Sequence, residues 1–347
     1  MSSINDALAA ALARAATAAR ERAGVAHVPR VDARALSALD FARRFIAPSR
    51  PCVLVHGVDA WPALARWRSR ALLLADAGAA ANVTVSETPD GRADAAARGV
   101  MRLPADRALP LAAALDVLRD APCGVPYVSA QNDSLRRETP RLVAAACGGA
   151  VRAATEALGG EPVAINLWAC GPSAPTSAVH RDHYDNLHTV VTGAKRFTLF
   201  PPQDALFLDK RPAVAARWRH DAAACARARG GACAATPPCW SLVAEPGAQP
   251  APCAHVDVGA PSARDATALA AASPLVVELA AGETLFLPRG WYHYVQNISH
   301  QAAADDDDHG LCICVNAWFE SEMGGNEATA EVFEELAAAL AEHSAVE

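Results

Sequence analysis

The fold class is indicated most clearly by the sequence TSAVHRDHYDNLHTVVTGAKRFTLFPP, residues 176–202. It contains three short segments typical of β-strands, at Val179–Asp182, Leu187–Val191 and Arg196–Phe200. Thr192 and Gly193 lie between the last two, where a turn between paired strands is expected. Several short strands at this spacing predict a sandwich or a barrel.

Strand signals also occur on both sides of this stretch. Ala164–Ala169 precedes it, and four more segments follow it: Leu275–Leu279, Thr284–Leu287, Trp291–Gln296 and Leu311–Phe319. Helical patterns flank the strands, including Ala35–Ile46, Pro140–Ala157 and the amphipathic Asn326–Glu342. We therefore predict a mainly β chain with flanking helices, of the α+β class.

Changes in composition divide the chain into three regions. Residues 1–160 are predicted to form helices and strands that pack on the barrel, residues 161–320 the barrel itself, and residues 321–347 a C-terminal helix. The barrel region is interrupted at about 209–274 by a segment rich in Ala, Arg, Pro and Gly, which we interpret as a surface insertion. Four of its residues are cysteines without any C-x-x-C pair, so a zinc knuckle there is the less favoured alternative.

The formal net charge of −7 argues against a surface built to bind nucleic acid phosphates. No apolar run is long enough to cross a bilayer, so we predict no membrane span. The Ala- and Arg-rich residues 4–23 raise the alternative of a transit peptide, but Asp6 and Glu21 favour an ordinary helix. From these features we expect a cytoplasmic or nuclear protein that binds neither nucleic acid nor membrane.

The sequence His180-Arg181-Asp182 suggests a metal site. Side chains two apart on a strand point to the same side, so the imidazole and the carboxylate can converge on one ion. His293 lies in another strand segment and can complete the set. Two histidines and one carboxylate on one face of an octahedron form the non-haem iron(II) site. By itself an H-x-D sequence also occurs by chance on polar strands.

The surrounding sequence closely resembles the jumonji-C (JmjC) hydroxylases. The motifs that carry the resemblance are residues 176–187, GAKRF at 193–197, FPP at 200–202, GE at 282–283, LPRGWYH at 287–293 and VNAWF at 315–319. Upstream, VPR at 28–30, RPC at 50–52, WPAL at 61–64 and TPDGRADA at 88–95 resemble a branch that includes a lysyl (3S)-hydroxylase also described as a peptidase.

This resemblance implies a double-stranded β-helix, the cupin-like jelly roll, with catalytic Fe(II) held by His180, Asp182 and His293. It also implies a site for 2-oxoglutarate. Lys195, Ser177 and Tyr127 match residues that bind the distal carboxylate of this cosubstrate in the family. Asn186 and Asn316 match asparagines near its metal-bound end, although both residues also suit the polar ends of strands.

The implied activity is that of a dioxygenase that hydroxylates a lysine side chain in a protein or peptide substrate, with a translation-associated GTPase as the expected partner. It would couple use of O2 to the decarboxylation of 2-oxoglutarate to succinate and CO2. The alternatives are a histone-tail endopeptidase, a lysine demethylase and a non-catalytic binding barrel. Related enzymes are often dimers, so the C-terminal helix either forms a homodimer or packs on its own barrel.

Overall fold

The fold was analysed on a computed structural model of the chain. The structure describes residues 10–11, 13–15, 17–18, 26–121, 123–149, 151–173, 175–221, 223–224, 239–272, 274–298, 310–320 and 331–336. The described residues of 10–18 and residues 331–336 are helical, as predicted for both ends of the chain. The remainder of the predicted helix Asn326–Glu342 lies outside the described residues.

Twenty strands carry most of the described structure. They are β1 Arg30–Asp32, β2 Cys52–Val55, β3 Asn82–Thr88, β4 Arg92–Ala93, β5 Ala95–Ala97, β6 Val100–Leu103, β7 Ala105–Pro110, β8 Val125–Val128, β9 Ala164–Cys170, β10 Thr176–Ser177, β11 His180–Arg181, β12 Asp185–Thr192, β13 Ala194–Phe200, β14 Lys210–His220, β15 Trp240–Ala244, β16 Ala251–Ala254, β17 Leu275–Ala280, β18 Thr284–Leu287, β19 Tyr292–Ile298 and β20 Cys312–Phe319.

Short helices cover one face of the strands. The α-helices are Ala38–Phe41, Pro62–Arg66, Arg70–Ala77, Leu111–Arg119, Ser134–Arg137, Arg152–Ala157 and Ala263–Ala272, with a π-helical turn at Ala42–Ile46 and 3-10 turns at Ala33–Ala35, Pro140–Leu142, Cys147–Gly149 and Pro202–Phe207. The predicted continuous helix Pro140–Ala157 is therefore wrong. Gly148 and Gly149 adopt φ of 65° and 74°, a left-handed conformation that cannot continue a right-handed helix.

Two sheets face each other to form the predicted jelly roll. The larger has the order β1-β2-β18-β12-β20-β9-β8-β3-β7, and the smaller has the order β17-β13-β19-β10-β4, with β11 also paired to β19. Val190 and Leu285 of the first sheet pack against Phe197 and Leu279 of the second in one buried cluster. The mainly β, cupin-like fold class predicted from the sequence is confirmed.

The central strands are buried on both faces, and β20 is an example. Every residue of β20 is buried. Ile313 and Val315 lie in the cluster that includes Phe41 and Trp67 of the flanking helices, whereas Cys312 and Cys314 lie in the cluster between the sheets. This is the alternation of a strand, with each buried aliphatic side chain contributing about 1.5–3 kcal/mol. The helices thus fix the outer face, and the inner face points into the barrel.

The N-terminal region contributes strands as well as helices. β1, β2, β3, β7 and β8 all belong to the nine-stranded sheet and extend the same sheet that contains β12 and β20. None of the helices in the described ranges is long and apolar enough to cross a membrane. Cys123 is disulfide-bonded.

The insertion at 209–274 is more regular than its composition suggests. Its described residues form β14, β15, β16 and the helix Ala263–Ala272. β14 pairs in parallel with β6 of the N-terminal region, from Val214 opposite Val100 to Arg217 opposite Leu103. Alanine and arginine have a weak intrinsic tendency to form strands, but hydrogen bonding to an existing strand outweighs this weak tendency. Consequently the insertion is part of the wall beside the barrel opening.

Candidate active site

The three predicted metal ligands meet at one place. β11 and β19 are antiparallel, and their register places His180 directly opposite His293. The two rings have centroids 4.1 Å apart. Asp182 follows β11, and its Oδ2 lies 3.9 Å from Nε2 of His293. One ligand atom from each residue lies within 4.8 Å of the others, and this is the one such His, Cys, Asp or Glu group among the described residues.

Hydrogen bonds orient both imidazoles for metal binding. Nδ1 of His180 lies 2.8 Å from the carbonyl oxygen of Ala178, and Nδ1 of His293 lies 3.1 Å from that of Trp291. A carbonyl only accepts, so each Nδ1 carries the proton and each Nε2 keeps its lone pair for a metal. Burial, reinforced by the nearby His180, lowers the pKa of His293 to about 4, so this imidazole is neutral at pH 7. The donor set fits a divalent metal ion.

A chain of hydrogen bonds connects Asp182 to the interior of the barrel. Trp168 donates from Nε1 to Oδ1 of Asn316 at 2.7 Å, and Asn316 donates to Oδ1 of Asn186 at 3.2 Å. Asn186 then donates to Oδ2 of Asp182 at 3.4 Å. β9, β20 and β12 are adjacent in the larger sheet and supply the first three residues. These contacts restrict the rotation of the carboxylate before any ligand binds.

A buried lysine lies at the other end of the site. Lys195 of β13 is only 2% exposed, and its Nζ lies 5.2 Å from the centroid of the Trp168 ring. Its one hydrogen bond to a described residue is to the hydroxyl of Tyr127, at 3.1 Å. Tyr127 in turn donates to Oδ1 of Asn297 at 3.3 Å, and burial raises its pKa, which keeps the phenol protonated. An ammonium has three donors, so Lys195 retains capacity for an anionic ligand.

One cavity of about 500 Å³ joins the two ends. All eight residues singled out in the sequence line it: His180, Asp182, His293, Lys195, Ser177, Tyr127, Asn186 and Asn316. The hydroxyl of Ser177 accepts a hydrogen bond from the amide of Val295 at 3.0 Å, so its own proton can point toward a ligand. A cavity with a metal-type donor set at one end and a buried cation at the other suits a small dicarboxylate that chelates the metal.

Comparison with known proteins agrees with this geometry. The cupin-like domain family matches residues 38–325. The chain is 34% identical to the bifunctional peptidase and (3S)-lysyl hydroxylase JMJD7 of Homo sapiens over 88% of each chain. It is 32% identical to the lysine-specific demethylase JMJ32 of Arabidopsis thaliana, covering 83% of this chain and 80% of the relative. JmjC domain-containing protein E of Dictyostelium discoideum is 25% identical, covering 84% and 83%.

The chain belongs to the cupin-like JmjC family. The family predicted from the sequence motifs is thereby confirmed, and with it the class of enzyme, a 2-oxoglutarate oxygenase. In this JmjC chain the motif residues 176–202 form β10 to β13 and place the H-x-D sequence at the barrel opening.

The C-terminal helix of this JmjC chain contacts the strands that carry the triad. Glu334 forms an ion pair with Arg181 at 2.9 Å and also pairs with Lys210 and with the hydroxyl of Tyr292. Arg181 lies between His180 and Asp182, and Tyr292 precedes His293. Burial opposes the ionised Glu334, but these partners outweigh it and lower its pKa to about 2. The described part of the helix therefore packs on its own barrel; the predicted homodimer stays a prediction.

The cavity is also lined by residues that sequence reasoning did not assign to the site, among them Asp94, Trp168, His188 and Arg217. His188 is buried, and desolvation lowers the pKa of its imidazole well below the usual range. Asp94 lies in the TPDGRADA motif, but the residues around it in the sequence do not indicate a binding role. Arg217 comes from β14, inside the segment that composition alone assigned to a surface insertion.

Proposed function

We propose that this chain is an Fe(II)- and 2-oxoglutarate-dependent hydroxylase that acts on a lysine side chain of a protein partner. The observation that carries the proposal is the cavity that joins the donor set His180, Asp182 and His293 to the buried Lys195. The similarity to a relative named as a (3S)-lysyl hydroxylase over 88% of the chain supports lysine as the target. The expectation of a translation-associated GTPase rests on the family resemblance.

The eight cavity residues predicted from the sequence each have a role in this proposal. His180, Asp182 and His293 would hold iron through Nε2, a carboxylate oxygen and Nε2. Lys195 and Tyr127, with Ser177 beside them, would bind the distal carboxylate of 2-oxoglutarate by charge-assisted hydrogen bonds. When bound, iron and 2-oxoglutarate supply the oxidation of a C–H bond by O2, with release of succinate and CO2.

The chain's own residues position the reactants and limit access of water. Trp168, Asn316 and Asn186 fix the Asp182 carboxylate through the hydrogen bonds described above. Asn186 and Asn316 also lie where the metal-bound end of the cosubstrate would be. Trp168 and Phe197 line the cavity on the Lys195 side, where apolar rings strengthen the interaction between the ammonium and a carboxylate.

A single assay tests the proposal. The purified protein is incubated with Fe(II), ascorbate and 2-oxoglutarate, and with peptides that contain lysine, including segments of translation-associated GTPases. Mass spectrometry should find a gain of one oxygen on a lysine, with succinate formed in equal amount. The same reaction with the Asp182→Ala variant should give neither product.

The other outcomes distinguish the alternative functions. Cleavage of the peptide would support a peptidase, the other activity in the name of the human relative. Loss of a methyl group from a methylated lysine would support a demethylase, the activity in the name of the plant relative. An unchanged mixture, together with no succinate, would contradict an oxygenase and favour a binding barrel.

A further inference from the structure

The cavity wall contains an unpaired carboxylate. Three aspartates line the cavity: Asp94, Asp106 and Asp182. Asp182 belongs to the triad. Asp106 already has two partners, since Oδ1 accepts from the hydroxyl of Ser86 at 2.7 Å and Oδ2 accepts from Nη1 of Arg217 at 2.9 Å. Only Asp94 has no side-chain hydrogen bond or ion pair with the described residues; Arg217, which pairs with Asp106, attracts it through charge alone.

Asp94 lines the cavity and is exposed to solvent. Desolvation by the surrounding atoms nevertheless raises the pKa of its carboxyl group, and Asp106 raises it further, while His180 and Arg217 act in the opposite direction. A desolvated carboxylate without a partner is unfavourable, and a cation that enters the cavity would relieve this. Arg217, which lines the same cavity, is already paired with Asp106 and Glu245.

The backbone holds Asp94 in a strained conformation that aims it at this place. Its φ is 59°, in the left-handed region that non-glycine residues rarely adopt. Its amide donates to the carbonyl oxygen of Arg102 at 3.0 Å, which attaches it to the β5–β6 hairpin. β6 in turn pairs with β14 of the insertion. Strain of this kind is kept where a side chain must take one position.

Apolar side chains share the cavity with this carboxylate. Met101 and Leu103 of β6 line the same cavity. They are two apart on one strand and therefore point to the same side. An apolar strip and a carboxylate without a hydrogen-bond partner in one cavity suit an alkyl chain that ends in a positive charge, and lysine is the amino acid with a flexible methylene stem and a compact ammonium.

We propose that Asp94 binds the side-chain ammonium of the target lysine, with its methylene groups packed on Met101 and Leu103. This inference rests on the proposed function and names the part of the site that selects the substrate. Substrate selection would then depend on the N-terminal region, which contains Asp94 and β6. The insertion would support this role because its strand β14 pairs with β6.

The test compares Asp94→Asn with Asp90→Asn. Asp90 lies four residues earlier, is exposed, pairs with Arg102 and does not line the cavity, so it is a matched control. Peptides with lysine and with acetyl-lysine at the target position are assayed on each variant by mass spectrometry. Binding of both peptides to the protein loaded with Mn(II) and 2-oxoglutarate is measured by calorimetry, a readout that does not depend on turnover.

We expect the wild type and Asp90→Asn to prefer the lysine peptide. Asp94→Asn should bind it at least about tenfold more weakly, since one partner of a desolvated charge pair is lost, and should lose the preference over acetyl-lysine. Asp94→Glu, which keeps the charge, should retain part of that preference; this variant also serves if Asp94→Asn fails to fold, as judged by circular dichroism.

Two failures are distinguishable. If the wild type hydroxylates no lysine peptide, the proposed function is wrong, and the role of Asp94 that depends on it is withdrawn as well. If the wild type hydroxylates lysine but Asp94→Asn keeps the affinity and the preference over acetyl-lysine, the enzyme assignment stands and the inference about Asp94 is wrong.

Discussion

His180 and His293 are direct cross-strand partners, with ring centroids 4.1 Å apart. They come from β11 and β19, and each ring is fixed through Nδ1 by a carbonyl two residues earlier in its own chain segment. The same arrangement on both strands leaves the Nε2 atoms of both rings free to bind a metal together with the carboxylate of Asp182. The metal-binding geometry is therefore built from backbone register and local hydrogen bonds before a metal binds.

Replacing Asp182 with alanine should remove metal binding. The variant loses the only carboxylate of the described triad, so we expect iron(II) affinity to fall by more than about 100-fold, beyond what loss of an outer partner produces. Mn(II) binding followed by electron paramagnetic resonance measures this directly. His183→Ala, adjacent in sequence but outside the triad, is the control. Tight Mn(II) binding by Asp182→Ala would show that the metal lies elsewhere.

Lys195→Met should weaken cosubstrate binding without destabilising the fold. Methionine fills a similar volume but has no charge, and replacing a buried ion by an apolar group is often neutral or stabilising. The loss of a charge-assisted hydrogen bond of about 2–3 kcal/mol predicts roughly 30- to 150-fold weaker 2-oxoglutarate binding. Calorimetry with Mn(II) and thermal unfolding measure the two effects. A lower melting temperature with unchanged 2-oxoglutarate affinity would make Lys195 a structural residue.

Trp168→Phe should weaken metal binding, but less than Asp182→Ala does. Phenylalanine keeps a ring near Lys195 but removes the Nε1 donor that fixes the amide of Asn316. The carboxylate of Asp182 then loses the end of its hydrogen-bond chain, and such outer partners contribute about 10-fold to metal affinity. We expect roughly three- to tenfold weaker Mn(II) binding. Trp218→Phe, a tryptophan in the β14–β15 sheet, should not change it.

Glu334→Gln should destabilise the protein in a pH-dependent manner. The wild-type carboxylate has a pKa lowered from 4.5 to about 2 by Arg181, Lys210 and Tyr292 acting against burial. A depressed pKa contributes stability above the unfolded-state pKa, and this contribution is lost as the pH falls through the folded-state pKa. The difference in melting temperature between the wild type and Glu334→Gln should thus be largest above about pH 5 and shrink toward pH 2.

Glu335→Gln is the control for this helix, because Glu335 is exposed on the same turn. Its melting temperature should follow that of the wild type at every pH. An equal shift for both variants would mean that helix charge, and not the contacts of Glu334, sets the stability. Weaker Mn(II) binding by Glu334→Gln alone would further show that the C-terminal helix supports the strands that carry the triad.

Local sequence determined the strands and the chemistry of the triad. The alternation of side chains along a strand places His180 and Asp182 two residues apart on one side, and this holds for any strand. Strand segments such as Thr284–Leu287 were predicted with the bounds that the structure shows. The family motifs added Lys195, Ser177, Tyr127, Asn186 and Asn316, all of which line the cavity.

Tertiary structure alone decided which distant segments meet. The register of His180 with His293, the hydrogen bond from Lys195 to Tyr127 and the contact of Glu334 with Arg181 join residues far apart in sequence. The sequence also left Asp94 without a function and assigned Arg217 to an irregular insertion. Such pairings depend on how whole sheets pack their buried faces, because register follows burial and not the preference of any single segment.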